Sequence, residues 1–148
     1  MLTFGIEGID LEIDDYVLNL ASELDILKYD ADIDIRFVDR CDADAGGYCF
    51  GDNEEVEIEI ATHVQGERLE DETMMINLAH EMVHAKQLIT GELVDHGIQL
   101  TTAGDTQTLV KVTEWKGQNM TNVAYDDQPW EIEAYAKERG LYERCIIS

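Results

Sequence analysis

The feature that most constrains the fold is a helix predicted over residues 69–90, whose apolar side chains surround it almost completely. Gly91 stands where a C-terminal glycine cap belongs. A helix that is apolar on all sides is buried between other layers and does not lie on a surface. The rest of the chain must therefore supply elements that cover it on both sides. Its apolar residues are Met74, Met75, Ile76, Leu78, Ala79, Met82 and Val83.

Two segments that precede this helix alternate between apolar and charged side chains, which is the pattern of a half-buried strand. They cover residues 31–38 and 54–62. We expect the second to be an edge strand, because an acid-lined outer face prevents pairing with other chains. The side chains expected to point inward are Ile33, Ile35 and Phe37 in the first strand and Val56, Ile58 and Ile60 in the second, which turns Glu55, Glu57 and Glu59 outward.

The other predicted elements complete a single α+β domain over residues 1–148. We expect it to combine an N-terminal helix, a small antiparallel or mixed sheet, the buried helix and a C-terminal helix. Val17, Leu20, Leu24 and Leu27 give the N-terminal helix its apolar face. The predicted elements are helix 14–28, a short strand 48–50, strands 98–102 and 109–115 around a turn at Gly104-Asp105, and a last helix opened by Pro129 that runs from Trp130 to Arg139 or beyond.

Composition excludes several classes of function. The 148 residues include 33 Asp and Glu against 10 Lys and Arg, for a formal charge of −23, while the apolar share of 45% is normal for a globular protein. Such a chain repels phosphates, so we expect neither direct nucleic-acid binding nor binding to anionic membranes.

No apolar run is long enough to span a membrane, and no signal segment is evident, which favours a cytoplasmic protein. Three cysteines are an odd number, and we expect reduced thiols.

The buried helix carries His80, Glu81 and His84 in an H-E-x-x-H pattern. Residues four apart lie on one helix face, so both imidazoles converge on one point. Zinc accepts neutral imidazole nitrogens, and two buried histidines beside a buried glutamate are costly without a partner. Glu81 is offset from the histidines, where it can reach a water on the metal. The competing interpretation is a pair of core histidines satisfied by hydrogen bonds.

A catalytic zinc site usually has three protein ligands, so a third must come from elsewhere. Glu131 and Glu133 open the last predicted helix, and the predicted hairpin and loop give enough chain to return that helix to the first. Ala134 is small enough for the two helices to approach closely. Either glutamate could complete the site, and the alternative for each is a solvated acid in the first turn of a helix.

With these residues the chain resembles a minimal zincin metallopeptidase of the gluzincin branch, similar to short bacterial and phage metallopeptidases. The matched residues are the H-E-x-x-H motif and an E-x-x-A pattern formed by Glu131 and Ala134. The resemblance implies a zinc-dependent metalloprotease in which His80, His84 and Glu131 bind Zn²⁺ and Glu81 is the general base that activates the bound water. Many gluzincins place Asp or Asn four residues after the glutamate ligand to orient a histidine, and here Tyr135 holds that position.

Two further residues are candidates for stabilising the oxyanion, namely Tyr125 and His96. Of the two, Tyr125 is the expected second catalytic residue, beside Glu81. His63 and His96 otherwise have the character of exposed histidines near turns.

A peptide or protein substrate is the expected partner. In the family that the chain resembles, the strand before the motif helix pairs with extended substrate, and residues 54–62 fit that place. The acidic field would favour basic or neutral substrates. The alternative function is an acidic protein-binding module, or a nucleic-acid mimic, on a zincin scaffold without proteolytic activity.

Overall fold

A mixed sheet of four strands forms the first layer of the protein. The computed structural model describes residues 1–146. The strands are β1 (Thr3–Glu7), β2 (Asp32–Val38), β3 (Gly47–Gly51) and β4 (Glu55–Ala61). They lie in the order β1-β2-β4-β3, with β1, β2 and β4 parallel and β3 antiparallel to β4.

The two faces of this sheet differ in the way that the alternating sequence predicts. On β2 and β4 the apolar side chains are buried and the charged ones point away from the core. The short strand predicted at residues 48–50 is confirmed as part of β3. β1 was not predicted. Its five residues, TFGIE, do alternate, with Phe4 and Ile6 between Thr3, Gly5 and Glu7, but the glycine at the centre weakens the strand signal.

The prediction that residues 54–62 form an edge strand is wrong. β4 lies between β2 and β3, and its outward glutamates therefore do not protect an edge. The edge next to β4 is β3, which is half-exposed along its length. The acid-lined face of β4 is the solvent face of an interior strand, a pattern that an antiparallel or mixed sheet with one covered face also produces.

The motif helix packs on the apolar face of the sheet and the last helix packs on the motif helix, and the three α-helices of residues 1–146 form the core with the sheet. The motif helix is buried along most of its length, as predicted. The Tyr16 hydroxyl donates to the Met75 carbonyl over 2.7 Å and joins the N-terminal helix to the motif helix. No helix in this range is both long and apolar enough to cross a membrane. The helices are α1 (Asp14–Glu23), α2 (Asp71–Ile89) and α3 (Pro129–Cys145).

α1 ends earlier than the predicted residue 28. Asp25 adopts a left-handed backbone with φ 58°. Its N–H donates to the Ser22 carbonyl and the Ile26 N–H donates to the Ala21 carbonyl, which is the Schellman arrangement that closes a helix. The chain then turns Ile26 fully inward, whereas Leu27 is exposed and not on the apolar face of the helix.

A second, antiparallel sheet follows α2. The predicted turn at Gly104-Asp105 is confirmed, and both strands beside it are longer than predicted. The Trp115 and Trp130 rings, 6.1 Å apart between centroids, join the base of this sheet to the start of α3. The protein is therefore α+β, with small mixed and antiparallel sheets. The remaining strands are the short pair β5 (His63–Val64) and β6 (Glu67–Arg68), then β7 (Leu93–Ala103), β8 (Thr106–Trp115) and β9 (Gln118–Thr121).

Candidate metal centre

Two histidines on α2 face the start of α3. His80 and His84 lie one helical turn apart, are buried, and have ring centroids 5.0 Å apart. The Glu131 Oε1 atom lies 3.0 Å from the Nε2 atom of His80 and 3.1 Å from that of His84. One possible donor atom from each of these three residues lies within 4.8 Å of the others. The structure thus brings together the two motif histidines and one of the two candidate glutamates.

Glu133 points away from the histidines. Its Oε1 atom accepts a hydrogen bond from Gln87 Nε2 over 3.1 Å, and its other oxygen lies 3.8 Å from Lys137 Nζ. The same Gln87 amide donates to the Trp130 carbonyl over 3.0 Å. Gln87 therefore fixes the first turn of α3 on α2 in the orientation that presents Glu131 to the site. Ala134 is fully buried at this crossing, as expected for a close approach of two helices.

Both histidines also form a hydrogen bond through Nδ1, on the side of the ring away from Glu131. His84 Nδ1 donates to Gln87 Oε1 over 2.8 Å, because an amide oxygen can only accept. His80 Nδ1 donates to Glu138 Oε1 over 3.0 Å. With Nδ1 protonated on each ring, the Nε2 lone pairs are the ones left for a metal ion.

Tyr135 does not hydrogen-bond either histidine, contrary to the expectation for this position. Its ring packs edge-on against His80 with centroids 4.5 Å apart, and its hydroxyl lies 2.9 Å from that of Tyr125. Glu138, which lies two turns into α3 after Glu131, takes the histidine-orienting role. Sequence analysis missed Glu138 and Gln87, although their spacings from Glu131 and His84 place them on the same helix faces as those ligands.

The donor set fits a zinc ion. Two imidazole nitrogens and one carboxylate oxygen are ligands that zinc accepts in catalytic sites, and the outer hydrogen bonds set the histidine tautomers that it requires. Without a metal ion, the Nε2 atoms facing the Glu131 carboxylate must both carry protons to donate to it. The triad would therefore exchange protons for a cation.

Burial and neighbouring charges shift the pKa values of the triad residues and of Glu81. Burial lowers the pKa of His80, but hydrogen bonds to Glu131 and Glu138 and the charge of Glu81 outweigh it and raise that pKa to about 9. Burial raises the pKa of Glu131, and the hydrogen bonds from His80 and His84 outweigh that effect and lower it to about 2. Burial also raises the pKa of the Glu81 carboxyl to about 7, against the pull of the two histidines.

These shifts predict how pH acts on the metal-free protein. The pKa of Glu81 is raised from 4.5 to about 7 and that of His80 from 6.5 to about 9. Groups with raised pKa values stabilise the fold at low pH and lose that contribution as pH rises. With a chelator present, the melting temperature is expected to fall between about pH 4.5 and pH 9.

Added zinc is expected to act in the opposite direction. Its binding displaces the Nε2 protons, so the zinc-induced rise in melting temperature should grow with pH over the same interval. A His96→Asn variant serves as the control and should keep both trends. A zinc effect that is independent of pH would contradict this assignment of the protons.

Glu81 lies in a cleft of about 400 Å³ that also exposes the triad. Its carboxylate is packed against β3, where a Cβ atom added at Gly47 would lie only 2.9 Å from Glu81 Oε2. A glycine at this place lets the strand approach the carboxylate closely. The cleft thus has β3 on one side and the second sheet with the start of α3 on the other. Its lining includes Leu93, Asp95, Lys111 and Thr113 of the second sheet and Tyr125 before α3.

Tyr125 lines the cleft, whereas His63 and His96 are not among its lining residues. The Tyr125 hydroxyl donates to Glu131 Oε1 over 3.2 Å, and burial, with the Tyr135 hydrogen bond and the Glu131 charge, raises its pKa so that the phenol stays neutral. His96 pairs with Glu114 over 2.9 Å and is not among the lining residues, so the structure gives it no place as an oxyanion donor. His63 is half-buried beside Thr62 and not exposed.

Glu138 supplies a test of the centre. Replacing it with alanine frees His80 Nδ1, and the zinc affinity is expected to fall by roughly 10–100-fold, the usual cost of losing such an outer partner. Competition with a chromophoric chelator measures this. Glu143→Ala, an exposed acid on the same helix, is the matched control and should bind zinc as the wild type does. Equal affinities for both variants would show that Glu138 does not orient His80.

The comparisons with known proteins add no assignment. No protein-family model, curated protein or solved structure matches this chain. Its function must therefore be inferred from the geometry of the cleft and the triad.

Proposed function

We propose that the protein is a zinc-dependent peptidase of the zincin class, of the gluzincin type. The observation that carries the proposal is the convergence of His80 Nε2, His84 Nε2 and Glu131 Oε1 at one point on the wall of an open cleft. Two histidines from one helix and a glutamate from a later helix form the ligand set of that class. A bound zinc ion would supply Lewis acidity to a water molecule and to the scissile carbonyl group.

Glu81 is the general base in this proposal. It lies beside the triad, and its burial acts to raise the pKa of its carboxyl, which suits a group that both accepts and returns a proton. Its carboxylate accepts a proton from the attacking water and delivers it to the amine that leaves when the peptide bond breaks. Burial and the close contact with Gly47 hold the carboxylate in place for both transfers.

Tyr125 is proposed to assist at the carbonyl oxygen. Its phenol is neutral and its hydroxyl lies next to Glu131, so an O–H donor stands at the edge of the triad. Turning this O–H from Glu131 to the substrate would stabilise negative charge that develops on the carbonyl oxygen.

β3 is the proposed binding edge for the peptide backbone. It pairs with β4 on one side, and within residues 1–146 no strand pairs with its other side. β3 also lines the cleft beside Glu81. An extended peptide could add to this edge through main-chain hydrogen bonds. The proposed substrate edge is therefore β3, whereas the family resemblance implied that residues 54–62, which contain β4, pair with the substrate.

Peptide cleavage tests the proposal directly. Protein loaded with one equivalent of zinc is expected to cleave members of a proteome-derived peptide library, detected by mass spectrometry. Treatment with a chelator should abolish cleavage, and added zinc should restore it. Cleavage that survives complete removal of metal would contradict the proposed chemistry, as would a zinc-loaded protein that cleaves nothing in the library.

A second candidate function is binding of a basic partner by the outer face of the four-stranded sheet. Asp32 lies beside Glu55 and Asp34 beside Glu57 in adjacent strands, an arrangement of like charges that costs stability. Poly-lysine binding at about 0.05 M salt should weaken sharply at about 0.5 M if this face is responsible. The double variant Asp34→Asn, Glu57→Gln should bind less well, and equal binding would count against this function.

A further inference from the structure

The cleft continues onto one face of the hairpin formed by β7 and β8. Residues directly opposite each other in an antiparallel pair point to the same side of the sheet. Leu93, Asp95, Lys111 and Thr113 all line the cleft. We call the face that carries them the cleft-side face of the hairpin. Its cross-strand pairs are Leu93 with Trp115, Asp95 with Thr113, Ile98 with Lys111, and Leu100 with Leu109.

The outer end of this face is apolar and uncovered. Ile98 is 72% exposed, Leu100 57% and Leu109 68%. β9 pairs with β8 only between Val112 and Trp115, so no third strand from residues 1–146 pairs with this part of the hairpin. Single exposed apolar side chains are ordinary, but three that adjoin on one face of a two-stranded ribbon mark a contact surface.

Lys111 lies between this apolar end and the cleft. It is the one Lys or Arg among the residues that line the cleft, where Asp42, Asp95 and the catalytic carboxylates are the acids. Within residues 1–146, Lys111 and Arg68 are the two Lys or Arg side chains that form no ion pair. Although the chain has 33 acidic residues, the lysine that lines the cleft forms no ion pair with any of those within residues 1–146. An unpaired ammonium group next to apolar side chains suits a carboxylate from outside.

We propose that the cleft-side face of the hairpin binds a polypeptide segment that packs apolar side chains on Ile98, Leu100 and Leu109 and pairs a carboxylate with Lys111. The inference rests on the proposed peptidase function, in which this segment is part of the substrate. The carboxylate is either an Asp or Glu side chain or a free C-terminus. The surface therefore selects apolar segments with a negative group, although the chain as a whole is strongly acidic.

Peptide binding tests this surface without turnover. Zinc-loaded Glu81→Gln protein is titrated into three peptides of one apolar sequence that carry the same uncharged fluorophore, and binding is followed by anisotropy. The first carries an Asp and an amidated end, the second an Asn and an amidated end, the third an Asn and a free carboxylate. A carboxylate-bearing peptide is expected to bind about tenfold tighter than the neutral one. The tighter of the two identifies the source of the carboxylate.

Variants of the same protein locate the effect. Lys111→Gln should abolish the preference for a carboxylate, while Arg68→Gln, which removes the other unpaired cation, should retain it. The pair Leu100→Gln, Leu109→Gln should weaken all three peptides, and Thr101→Gln, Thr108→Gln on the opposite face should not. Equal affinity for the three peptides, or a preference that survives Lys111→Gln, would overturn the proposal.

Cleavage of the same peptides by the wild type is scored separately. Binding that depends on Lys111 without any cleavage would reject the peptidase function and keep the hairpin as a peptide-binding surface. Cleavage that is indifferent to Lys111 and to the apolar pair would reject the hairpin surface and keep the peptidase function.

Discussion

Glu81→Gln is expected to lower kcat/KM for peptide cleavage by a factor of about 10²–10⁴, the usual contribution of a general acid–base group. Glutamine preserves the size of the side chain but cannot accept the proton from water at neutral pH. Glu81 is not one of the three proposed metal ligands, so the zinc content should stay at that of the wild type. Library cleavage and metal analysis on the same preparations measure both quantities.

The matched control for this variant is Glu72→Gln. Glu72 lies in the first turn of the same helix, is exposed, and is not among the residues that line the cleft. Its substitution should leave both cleavage and zinc content unchanged. If Glu81→Gln cleaves as well as the wild type, Glu81 is not the general base. If it loses zinc instead, the residue acts on the metal site and not on the proton transfers.

Glu131→Ala is expected to lower zinc affinity by more than the roughly 100-fold that loss of an outer partner costs, because it removes a direct ligand. Cleavage should disappear with the metal. The same change also removes the acceptor that faces both Nε2 atoms, so in the metal-free protein the pKa of His80 should fall from its raised value. Chelator competition and an NMR titration of the histidines measure the two effects.

Glu133→Ala is the control that separates the two candidate glutamates. Glu133 contacts Gln87 and Lys137 and does not reach the histidines. Its loss should change zinc affinity by less than the loss of Glu131 does, since Gln87 still donates to the Trp130 carbonyl. A Glu133→Ala protein that loses zinc while Glu131→Ala keeps it would reverse the assignment of the third ligand.

The motif helix was predictable because its signals are local. Apolar residues on every side predict burial, and the i, i+4 spacing of His80 and His84 puts both rings on one face whatever surrounds them. The alternation in β2 and β4 is equally local and predicts which side chains point inward. These features depend on neighbours a few residues away in the chain, and the structure reproduces them.

The rest depends on contacts between distant segments. Glu131 and Glu133 both open α3 and point to different sides of it, so only the crossing of α3 over α2 selects Glu131. The alternation of apolar and charged residues in β4 indicates that one face of the strand meets solvent. The strand order that makes β3 the edge depends on pairing between separate segments. Glu138 orients His80 across 58 positions of sequence, and its spacing from Glu131 shows only a shared helix face, not which histidine it reaches.

A crystal structure of the zinc-loaded protein, with anomalous data at the zinc edge, tests the proposed metal centre more directly than any variant. We expect one strong peak bound by His80 Nε2, His84 Nε2 and Glu131 at about 2.0–2.2 Å, with a water completing the coordination and Glu81 beside it. A peak elsewhere, or a zinc ion closed by four protein ligands, would contradict a catalytic metal centre at this site.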